Sequence, residues 1–311
     1  MITTVTMNTS LDKLYRVGRL VDGTVMRVDE VVNTAGGKGL NVAKVAAILG
    51  EDVSATGFIG GFNGAHVRSL LKGTGVADAF VDSGVETRAC INVMDGETGS
   101  STEFLEPGPA VAPERYGEFL ARYGELVAAS EAVTISGSLP KGAPEGFYAR
   151  LVSVANEAGK PVLLDTSGRL LRDGLASRPT LVKPNREELG QIAGREVRDE
   201  AGVVEAVCGL VAGGIPHVAA SLGAEGVVFA CRDGVFRGRV TDVRAVNPVG
   251  CGDSMVAAFA VALARRLPTV EMLRLALAVS AASAMNEKTG CFDRADFESV
   301  SGRIEIERIG T

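Results

Sequence analysis

The feature that most constrains the fold of this chain is the alternation of short apolar runs with segments of helical periodicity. Val42, Val45 and Leu49, for example, recur at the spacing of one helix face. Because strands that alternate with helices assemble into a sheet covered on both faces, the pattern predicts an α/β fold with a mostly parallel central sheet. The predicted strands are Ile2–Thr6, Val53–Phe58, Ala132–Ile135, Pro161–Asp165, Thr180–Val182 and His217–Ala220.

Two segments depart from this alternation of strands and helices. Leu14–Val32 and Thr87–Phe104 alternate apolar with polar side chains, which is typical of half-exposed antiparallel strands. We expect the 311 residues to form a single domain, with a small second sheet built from about residues 12–33 and 86–106. The pattern leaves two interpretations of that sheet open, namely a pair of surface hairpins or a lid over a binding site.

The composition of the chain disfavours several classes of binding partner and indicates its location. A formal net charge of -6 and an isoelectric point near 5.2 disfavour binding to nucleic acid or to an anionic membrane. The longest apolar run, Met255–Ala264, is shorter than the roughly 20 residues of a membrane span. The chain opens without the basic and apolar regions of a secretory signal, and its five cysteines are widely spaced, as reduced thiols are. We therefore expect a cytoplasmic protein.

A glycine-rich turn, Asn247–Ser254, leads into this apolar run. Gly250 and Gly252 flank Cys251 and let a ligand approach the backbone without a Cβ in the way. The first N–H groups of a helix have no partner within it, and together with the helix dipole they suit an anion such as phosphate. Asp253 at this position is either a helix-capping acid or a catalytic carboxylate, and the turn alone does not separate these interpretations.

A second glycine cluster, Ala35–Asn41, also opens a predicted amphipathic helix. It matches neither the dinucleotide-binding fingerprint nor the phosphate loop, because Asn41 stands where the fingerprint has glycine and Gly39 follows Lys38. The cluster is either a plain tight turn or a place where Lys38 and Asn41 hydrogen-bond to sugar hydroxyls or to a phosphate.

A third segment, Lys183–Glu188, directly follows a predicted strand. Pro184 disfavours helical backbone at the residue before it, so a new helix is predicted to begin near Asn185. Asn185 and Glu188 would then lie three residues apart on one helix face. In that arrangement they could form a capping box, orient a hydrated Mg²⁺ ion, or do both.

Weaker signals lie at the ends of two other predicted strands and in the two alternating segments. Ser136–Gly142 and Ser221–Gly226 each follow a strand, at the sheet edge where α/β proteins bind ligands. Arg27 and Arg88 lie in the two alternating segments. A turn or an arginine of this kind is more often ordinary than functional, so each needs independent support.

Taken in order, these motifs resemble those of the PfkB/ribokinase family of carbohydrate kinases, over essentially the whole chain. Gly36–Asn41 is similar to the first signature of the family and Gly250–Asp253 to the second. Asn8–Asp12 and Lys183–Glu188 are also similar to family motifs. The chain looks most like the hexose-phosphate branch, that of 1-phosphofructokinases and tagatose-6-phosphate kinases, through segments Thr87-Arg88, Thr102-Glu103, Glu106–Pro109 and Ser136–Pro140.

This resemblance implies a ribokinase-like fold with ATP as phosphoryl donor, Mg²⁺, and a lid that often joins two subunits in a homodimer. It implies that Asp253 is the base on the accepting hydroxyl, beside an anion hole formed by Gly250, Cys251 and Gly252. The residues implied to hold the sugar are Asp12, Gly37, Lys38 and Asn41, and those implied to hold its phosphate are Arg27, Arg88 and Ser138. The residues implied to bind the nucleotide are Lys183, Asn185, Ser221, Gly223, Gly226 and Asn286, while Asn185 and Glu188 would position Mg²⁺ through water.

The predicted activity is therefore ATP-dependent phosphorylation of a ketohexose phosphate, with fructose 1-phosphate ahead of tagatose 6-phosphate as the acceptor. The sequence does not separate sugars that differ at a single hydroxyl. A sugar-phosphate sensor on the same fold would have no need of a base beside an anion hole. A nicotinamide-dependent dehydrogenase would carry a glycine fingerprint after the first strand, which this chain lacks.

Overall fold

Two β-sheets and ten helices make up the structure, a computed structural model that describes residues 1–310. The strands are β1 (Ile2–Thr6), β2 (Ser10–Val17), β3 (Glu30–Gly36), β4 (Val53–Ile59), β5 (Val76–Asp78), β6 (Val81–Asp82), β7 (Arg88–Asp95), β8 (Ser101–Leu105), β9 (Ala132–Ser136), β10 (Val162–Asp165), β11 (Leu181–Val182), β12 (His217–Ser221), β13 (Val227–Cys231), β14 (Gly234–Val240) and β15 (Ile304–Gly310). The helices are α1 (Lys38–Ile48), α2 (Gly61–Leu71), α3 (Pro113–Ala128), α4 (Phe147–Glu157), α5 (Gly168–Leu175), α6 (Arg186–Ala193), α7 (Glu200–Ala212), α8 (Cys251–Ala264), α9 (Thr269–Met285) and α10 (Arg294–Ser301).

The larger sheet has eleven strands, and its central part is parallel. Strands β12, β11, β10, β9, β1, β4 and β5 lie side by side in that order. All six predicted strands are present, and each observed boundary lies within one residue of its prediction. The sequence analysis missed the antiparallel strands β13, β14 and β15, which extend the sheet beyond β12.

Helices cover both faces of this sheet, which is why strands such as β10 and β13 are buried on both faces and apolar without alternation. Successive residues of one strand enter different cores: Leu163 packs with α1, α8 and α9, whereas Val162 and Leu164 pack with α3, α4 and α7. Helix α8 is buried over Asp253–Ala262 between the sheet and its neighbouring helices, so it needs no polar face. Within residues 1–310 no helix is long and apolar enough to cross a membrane.

The smaller sheet, called here the accessory sheet, contains strands in the order β3-β2-β7-β8. Its two hairpins are antiparallel as predicted, but the central pair β2–β7 is parallel. The prediction of antiparallel strands was therefore wrong for that pair, because α1, β4 and α2 lie between β2 and β7 in the chain and return it in the same direction. The sheet also begins at Ser10 and includes β3 to Gly36, beyond the predicted limits of 12 and 33.

The direction of the chain changes between β1 and β9, and this change creates a crevice. From β1 the chain moves outward to β4 and β5, whereas from β9 it moves the opposite way through β10, β11 and β12. Loops that leave two such strands diverge at their carboxyl ends, where open α/β sheets bind ligands. The accessory sheet follows β1 directly and therefore lies at this edge.

Candidate active site

Side chains from both sides of the crevice contact each other where the chain changes direction, between β1 and β9. Asn8 follows β1 and Ser138 follows β9, and the Asn8 Nδ2 donates to the Ser138 Oγ at 3.0 Å. Arg88, the first residue of β7, donates from Nε to the Asn8 carbonyl at 3.1 Å and from Nη1 to the Glu106 carbonyl at 2.8 Å. Arg88 and Ser138, predicted from separate motifs, thus share Asn8 as a neighbour.

The two glycine-rich motifs meet through their helices. Helix α1 brings Asn41 to helix α8, where the Asn41 Nδ2 donates to the Asp253 Oδ2 at 2.9 Å. Asp253 is only 6% exposed. Burial raises its pKa from the ordinary 3.8 to about 6, and the nearby negative charge of Asp165 adds to the rise. A carboxylate with this pKa can accept a proton near neutral pH, as a general base must.

The turn before α8 has the shape predicted for an anion site, with one difference. Gly250 has a φ of 82°, in the left-handed region that glycine adopts without strain, and its missing Cβ leaves room for Thr289. The Cys251 N–H donates within the turn to the Pro248 carbonyl at 3.4 Å. The N–H groups of Gly250, Gly252 and Asp253 have no backbone acceptor among residues 1–310, so these three remain for an anion.

The Cys251 thiol is partly buried and lies within the turn. Burial raises its pKa to about 11, and its Sγ lies 3.7 Å from the Asn247 carbonyl. A thiol that stays protonated at neutral pH is a poor nucleophile and is slow to oxidise. All five cysteines carry free thiols; the cytoplasmic location stays a prediction.

A buried carboxylate connects the predicted lysines. Asp165 ends β10, and its two oxygens lie 3.5 Å from the Lys38 Nζ and 3.4 Å from the Lys183 Nζ. Gly252 allows this arrangement, because a Cβ there would lie 3.1 Å from the Lys183 Nζ. The lysines therefore lie next to the N-terminus of α8, where they add positive charge to the anion site.

The first strand of the accessory sheet presents Asp12 at the other end of the site. Ser10 Oγ donates to the Asp12 Oδ1 at 2.6 Å, and burial raises the pKa of this carboxyl. Gly36, opposite Ser10 on β3, leaves the space that the Asp12 carboxylate fills. Lys44, one turn after Asn41 on α1, donates to the Ala35 carbonyl at 3.1 Å and interacts electrostatically with Asp12.

Replacing Gly36 by alanine should weaken sugar binding, because the new Cβ would overlap the Asp12 carboxylate. If Asp12 holds a sugar hydroxyl, its displacement removes a hydrogen bond to a charged group, worth about 1.5–3 kcal/mol. We expect the KM for the sugar to rise roughly 10-fold or more, with the KM for ATP unchanged. Gly18→Ala is the matched control, since a Cβ at Gly18 meets nothing within 4 Å. An unchanged sugar KM in Gly36→Ala would exclude Asp12 from sugar binding.

The predicted nucleotide residues lie along the neighbouring strand ends. Asn185 caps α6, and the capping box with Glu188 is formed in both directions, at 2.8 and 2.9 Å. The Ser221 N–H donates to the Pro184 carbonyl at 2.9 Å, which joins this loop to the turn after β12. Gly223 and Gly226 shape that turn with φ values of 61° and 93°.

Two predicted site residues make no hydrogen bonds to the other predicted site residues. Arg27 is exposed on the connection between β2 and β3, and within residues 1–310 no hydrogen bond or ion pair holds it. Asn286, at the end of α9, donates to the Asp293 carboxylate at 3.0 Å and accepts from the Lys288 N–H at 2.9 Å. Its side chain thus supports the loop 286–293, and the predicted role at the nucleotide stays a prediction.

Three residues of the site were missed in the sequence analysis. Asp165 is the last residue of one predicted parallel strand and Asn8 lies two residues after another, and that position could have identified them, because such strands end at one edge. The sequence indicates Lys44 as a site residue more weakly. It is a cation three residues after Asn41, on the same face of a helix that is otherwise apolar there.

Comparison with known proteins identifies the family to which this arrangement of glycine turns, carboxylates and lysines belongs. The model of the pfkB family carbohydrate kinases matches residues 5–293. The chain therefore belongs to the pfkB family of carbohydrate kinases, which confirms the predicted enzyme class: a phosphotransferase with an alcohol group as acceptor. Membership of a kinase family implies ATP as the donor.

Solved structures give the same result in three dimensions. Phosphofructokinase-2 from Escherichia coli, in complex with potassium, superposes with a TM-score of 0.90 at 30% identity, over 97% of this chain and 98% of that one. A possible 1-phosphofructokinase from Thermotoga maritima gives 0.89 at 26%, over 99% of both chains. Ribokinase from Arabidopsis thaliana, complexed with ribose and ATP, gives 0.77 at 20%, over 96% of this chain and 98% of that chain. The predicted ribokinase-like α/β fold is confirmed.

Proposed function

We propose that this protein transfers a phosphoryl group from ATP to a hydroxyl of a ketohexose phosphate, with fructose 1-phosphate as the preferred acceptor and fructose 1,6-bisphosphate as the product. The observation that carries the proposal is the position of Asp253. It lies in the first turn of α8, is held by Asn41, and neighbours Lys38 and Lys183. The likeness to two phosphofructokinases supports a sugar that already bears a phosphate.

The chemical step follows from these positions. Asp253 accepts the proton of the attacking hydroxyl as the oxygen forms its bond to the γ-phosphorus of ATP and the bond to the leaving ADP oxygen breaks. Asn41 holds the Asp253 Oδ2, which leaves Oδ1 for the hydroxyl. The N–H groups of Gly250, Gly252 and Asp253 and the two lysine ammonium groups stabilise the charge on the transferring group, which is the main requirement of phosphoryl transfer.

The accepting sugar would lie between the accessory sheet and the main sheet. Asp12 hydrogen-bonds to its hydroxyls, while Arg88 and Ser138 hold the phosphate that it already carries. A phosphate dianion needs charge-assisted partners, and Arg88 supplies one at the change of direction of the sheet. Arg27 lies on the exposed connection between β2 and β3, and its role at the phosphate stays a prediction.

The residues present fit Mg²⁺ bound mainly by phosphates and water. Glu188 uses Oε2 in the capping box, and Oε1 remains available. Among residues 1–310 no group of three or more His, Cys, Asp or Glu side chains forms a metal cage. Mg²⁺ commonly keeps several waters and takes one or two carboxylates plus substrate phosphates. Asn185 and Glu188 would hold the ion through water, and when bound it neutralises charge on the ATP phosphates.

Initial rates with several acceptors test this proposal. Fructose 1-phosphate, tagatose 6-phosphate and fructose 6-phosphate should be compared at equal concentration with saturating ATP and Mg²⁺. We expect the highest kcat/KM with fructose 1-phosphate. A preference for tagatose 6-phosphate would support the alternative tagatose-6-phosphate kinase. Binding of all three sugars without turnover would indicate the sensor, and stabilisation by NAD but not by ATP would exclude the kinase.

We also propose that the accessory sheet serves as a lid and as the contact between two subunits. Asp12 and Arg88 lie on the face toward the sugar. On the other face, Val31 and Phe104 are 53% and 59% exposed. These two side chains lie on the outer strands β3 and β8 of the same face. Exposed apolar side chains on one face of a sheet favour burial against a partner, and a two-fold dimer would provide it.

Val31→Glu combined with Phe104→Glu should therefore produce a monomer with an increased sugar KM, since like charges would face each other in the contact. Val93 is a poor probe because it is only 8% exposed within the subunit. Sedimentation and kinetics on the same samples measure both effects, and Val270→Glu, at an exposed apolar side chain on α9 away from the accessory sheet, is the control. A wild-type monomer would contradict the dimer; a monomeric variant with an unchanged KM would contradict the link to the sugar site.

A further inference from the structure

The buried carboxylate of Asp165 has no role in the mechanism above, although it lies at the centre of the charged groups. Its side chain is 1% exposed, and both oxygens face ammonium groups. Burial of an unpaired carboxylate is strongly unfavourable, so such a group persists only where paired charges compensate it. The two lysines do compensate it, because their positive charges hold the pKa of Asp165 below its ordinary value despite the burial.

We propose that Asp165 is a positioning residue that holds the Lys38 and Lys183 ammonium groups on either side of the transferring phosphoryl group. Lys38 opens α1, beside the sugar residues, whereas Lys183 follows β11, beside the nucleotide residues. Asp165 ends the strand between β9 and β11 and contacts one lysine with each oxygen. This inference rests on the proposed kinase activity.

Two ammonium groups that are held in place stabilise the transition state better than two mobile ones. Lysine side chains have high rotamer entropy, and an unanchored ammonium would follow the phosphates of bound ATP wherever they lie. Tethered to a buried carboxylate, the two ammonium groups are already in place when charge develops on the transferring group. Asp165 also restricts how tightly the lysines bind the ground state, because it competes with the phosphates for them.

Asp165 acts on Asp253 as well, through charge. Its negative charge raises the pKa of Asp253, whereas Lys38 and Lys183 lower it. The charged or titratable groups that face Asp253 from the surrounding elements are Asp165 on β10, Lys38 and Lys44 on α1, Lys183 after β11 and Cys251 on α8. Removing the Asp165 charge should therefore lower the pKa of the base.

The test is Asp165→Asn, assayed with the hexose phosphate on which the wild-type protein is most active. We expect kcat to fall roughly 10–100-fold, as when a preorganised electrostatic contact is lost. The KM for ATP should stay the same or decrease, because the released lysines can follow the phosphates. The acid limb of the kcat profile should move to lower pH. A kcat within threefold of wild type, or an unmoved acid limb, would overturn the proposal.

A double-mutant cycle shows whether Asp165 acts through the lysine. In a Lys183→Met background, Asp165→Asn should cost much less kcat than it does in wild type, because one of the two tethered groups is already gone. Additive losses would contradict the proposal. Asp95→Asn is the matched control, since Asp95 is also buried but lies at the far end of β7 from Arg88. It should leave kcat and the acid limb unchanged.

Two further measurements distinguish a variant that does not fold, a positioning role that is wrong and a proposed function that is wrong. If Asp165→Asn does not fold, Asp165→Glu replaces it: the charge stays while its position shifts, so kcat should still fall at least 10-fold with the acid limb in place. Wild-type turnover in Asp165→Glu would overturn the proposal. Absence of hexose-phosphate turnover in the wild-type protein would instead contradict the proposed function, before any variant is compared.

Discussion

Asp253→Asn should give an enzyme that binds its sugar normally and barely turns over. Asparagine has nearly the same shape and keeps an oxygen for the Asn41 Nδ2, but it accepts no proton. Loss of a positioned acid–base group lowers kcat by roughly 10²–10⁴. The KM for the sugar should stay within about threefold of wild type, because the contacts of Asp12 and Arg88 are untouched. Wild-type-like turnover would remove Asp253 from the mechanism.

The same substitution should make the protein more stable at neutral pH. The folded-state pKa of Asp253 is about 6, above the ordinary 3.8. Because the folded state favours the protonated form, the free energy of unfolding decreases as the pH rises from about 4 to about 6, and the loss is complete above that range. About two pKa units correspond to about 3 kcal/mol. Asparagine avoids that cost.

Urea denaturation of both proteins between pH 4 and pH 8 measures this effect. We expect the variant to gain stability relative to wild type as the pH rises to about 6, then to keep a constant advantage. A variant that is less stable than wild type at pH 8 would show that Asp253 is held by structural contacts and is not a strained base. Asp95→Asn should have the opposite effect and make the protein less stable than wild type at neutral pH, because hydrogen bonds from backbone N–H groups lower the pKa of Asp95.

Arg88→Ala should raise the KM for the sugar phosphate far more than the KM for ATP. The substitution removes a charge-assisted contact of about 1.5–3 kcal/mol, which corresponds to roughly 10–150-fold. The effect should depend on the phosphate, so binding of unphosphorylated fructose should change little. If only the KM for ATP increases, the arginine belongs to the nucleotide pocket.

Two control variants separate the phosphate contact from structural effects. Arg88 also donates to the carbonyls of Asn8 and Glu106, so its loss could loosen the edge of the accessory sheet. Arg88→Lys keeps the charge without both hydrogen bonds and should recover part of the sugar affinity. Arg19→Ala removes an exposed arginine paired with Glu97 and should leave both KM values unchanged.

Local patterns predicted the main sheet well, because burial on both faces requires continuous apolar strands. The accessory sheet was harder: its alternation was visible, but the parallel β2–β7 pair joins residues 78 positions apart, as between Ser10 and Arg88. Strand pairing over such a separation depends on how the intervening elements return the chain, and no local pattern encodes that path. Strand β13 was missed although Val227–Cys231 is a continuous apolar run, whereas β14 and β15 mix charged with apolar residues and carry a weaker local pattern.

The sequence by itself determined the fold class and the two glycine turns, because these depend on local patterns of residue types. It also led to Asp253 as the predicted base, through the resemblance of its motif to a family signature. Only the tertiary structure decided which charges meet. Asp165 contacts Lys38 across 127 positions of sequence, and Asn41 contacts Asp253 across 212. The raised pKa of Asp253 comes from burial and from these neighbours, so it exists only in the folded protein. The types of residue in a local motif can be read from the sequence, whereas the electrostatic environment of a site depends on how the folded chain packs around it.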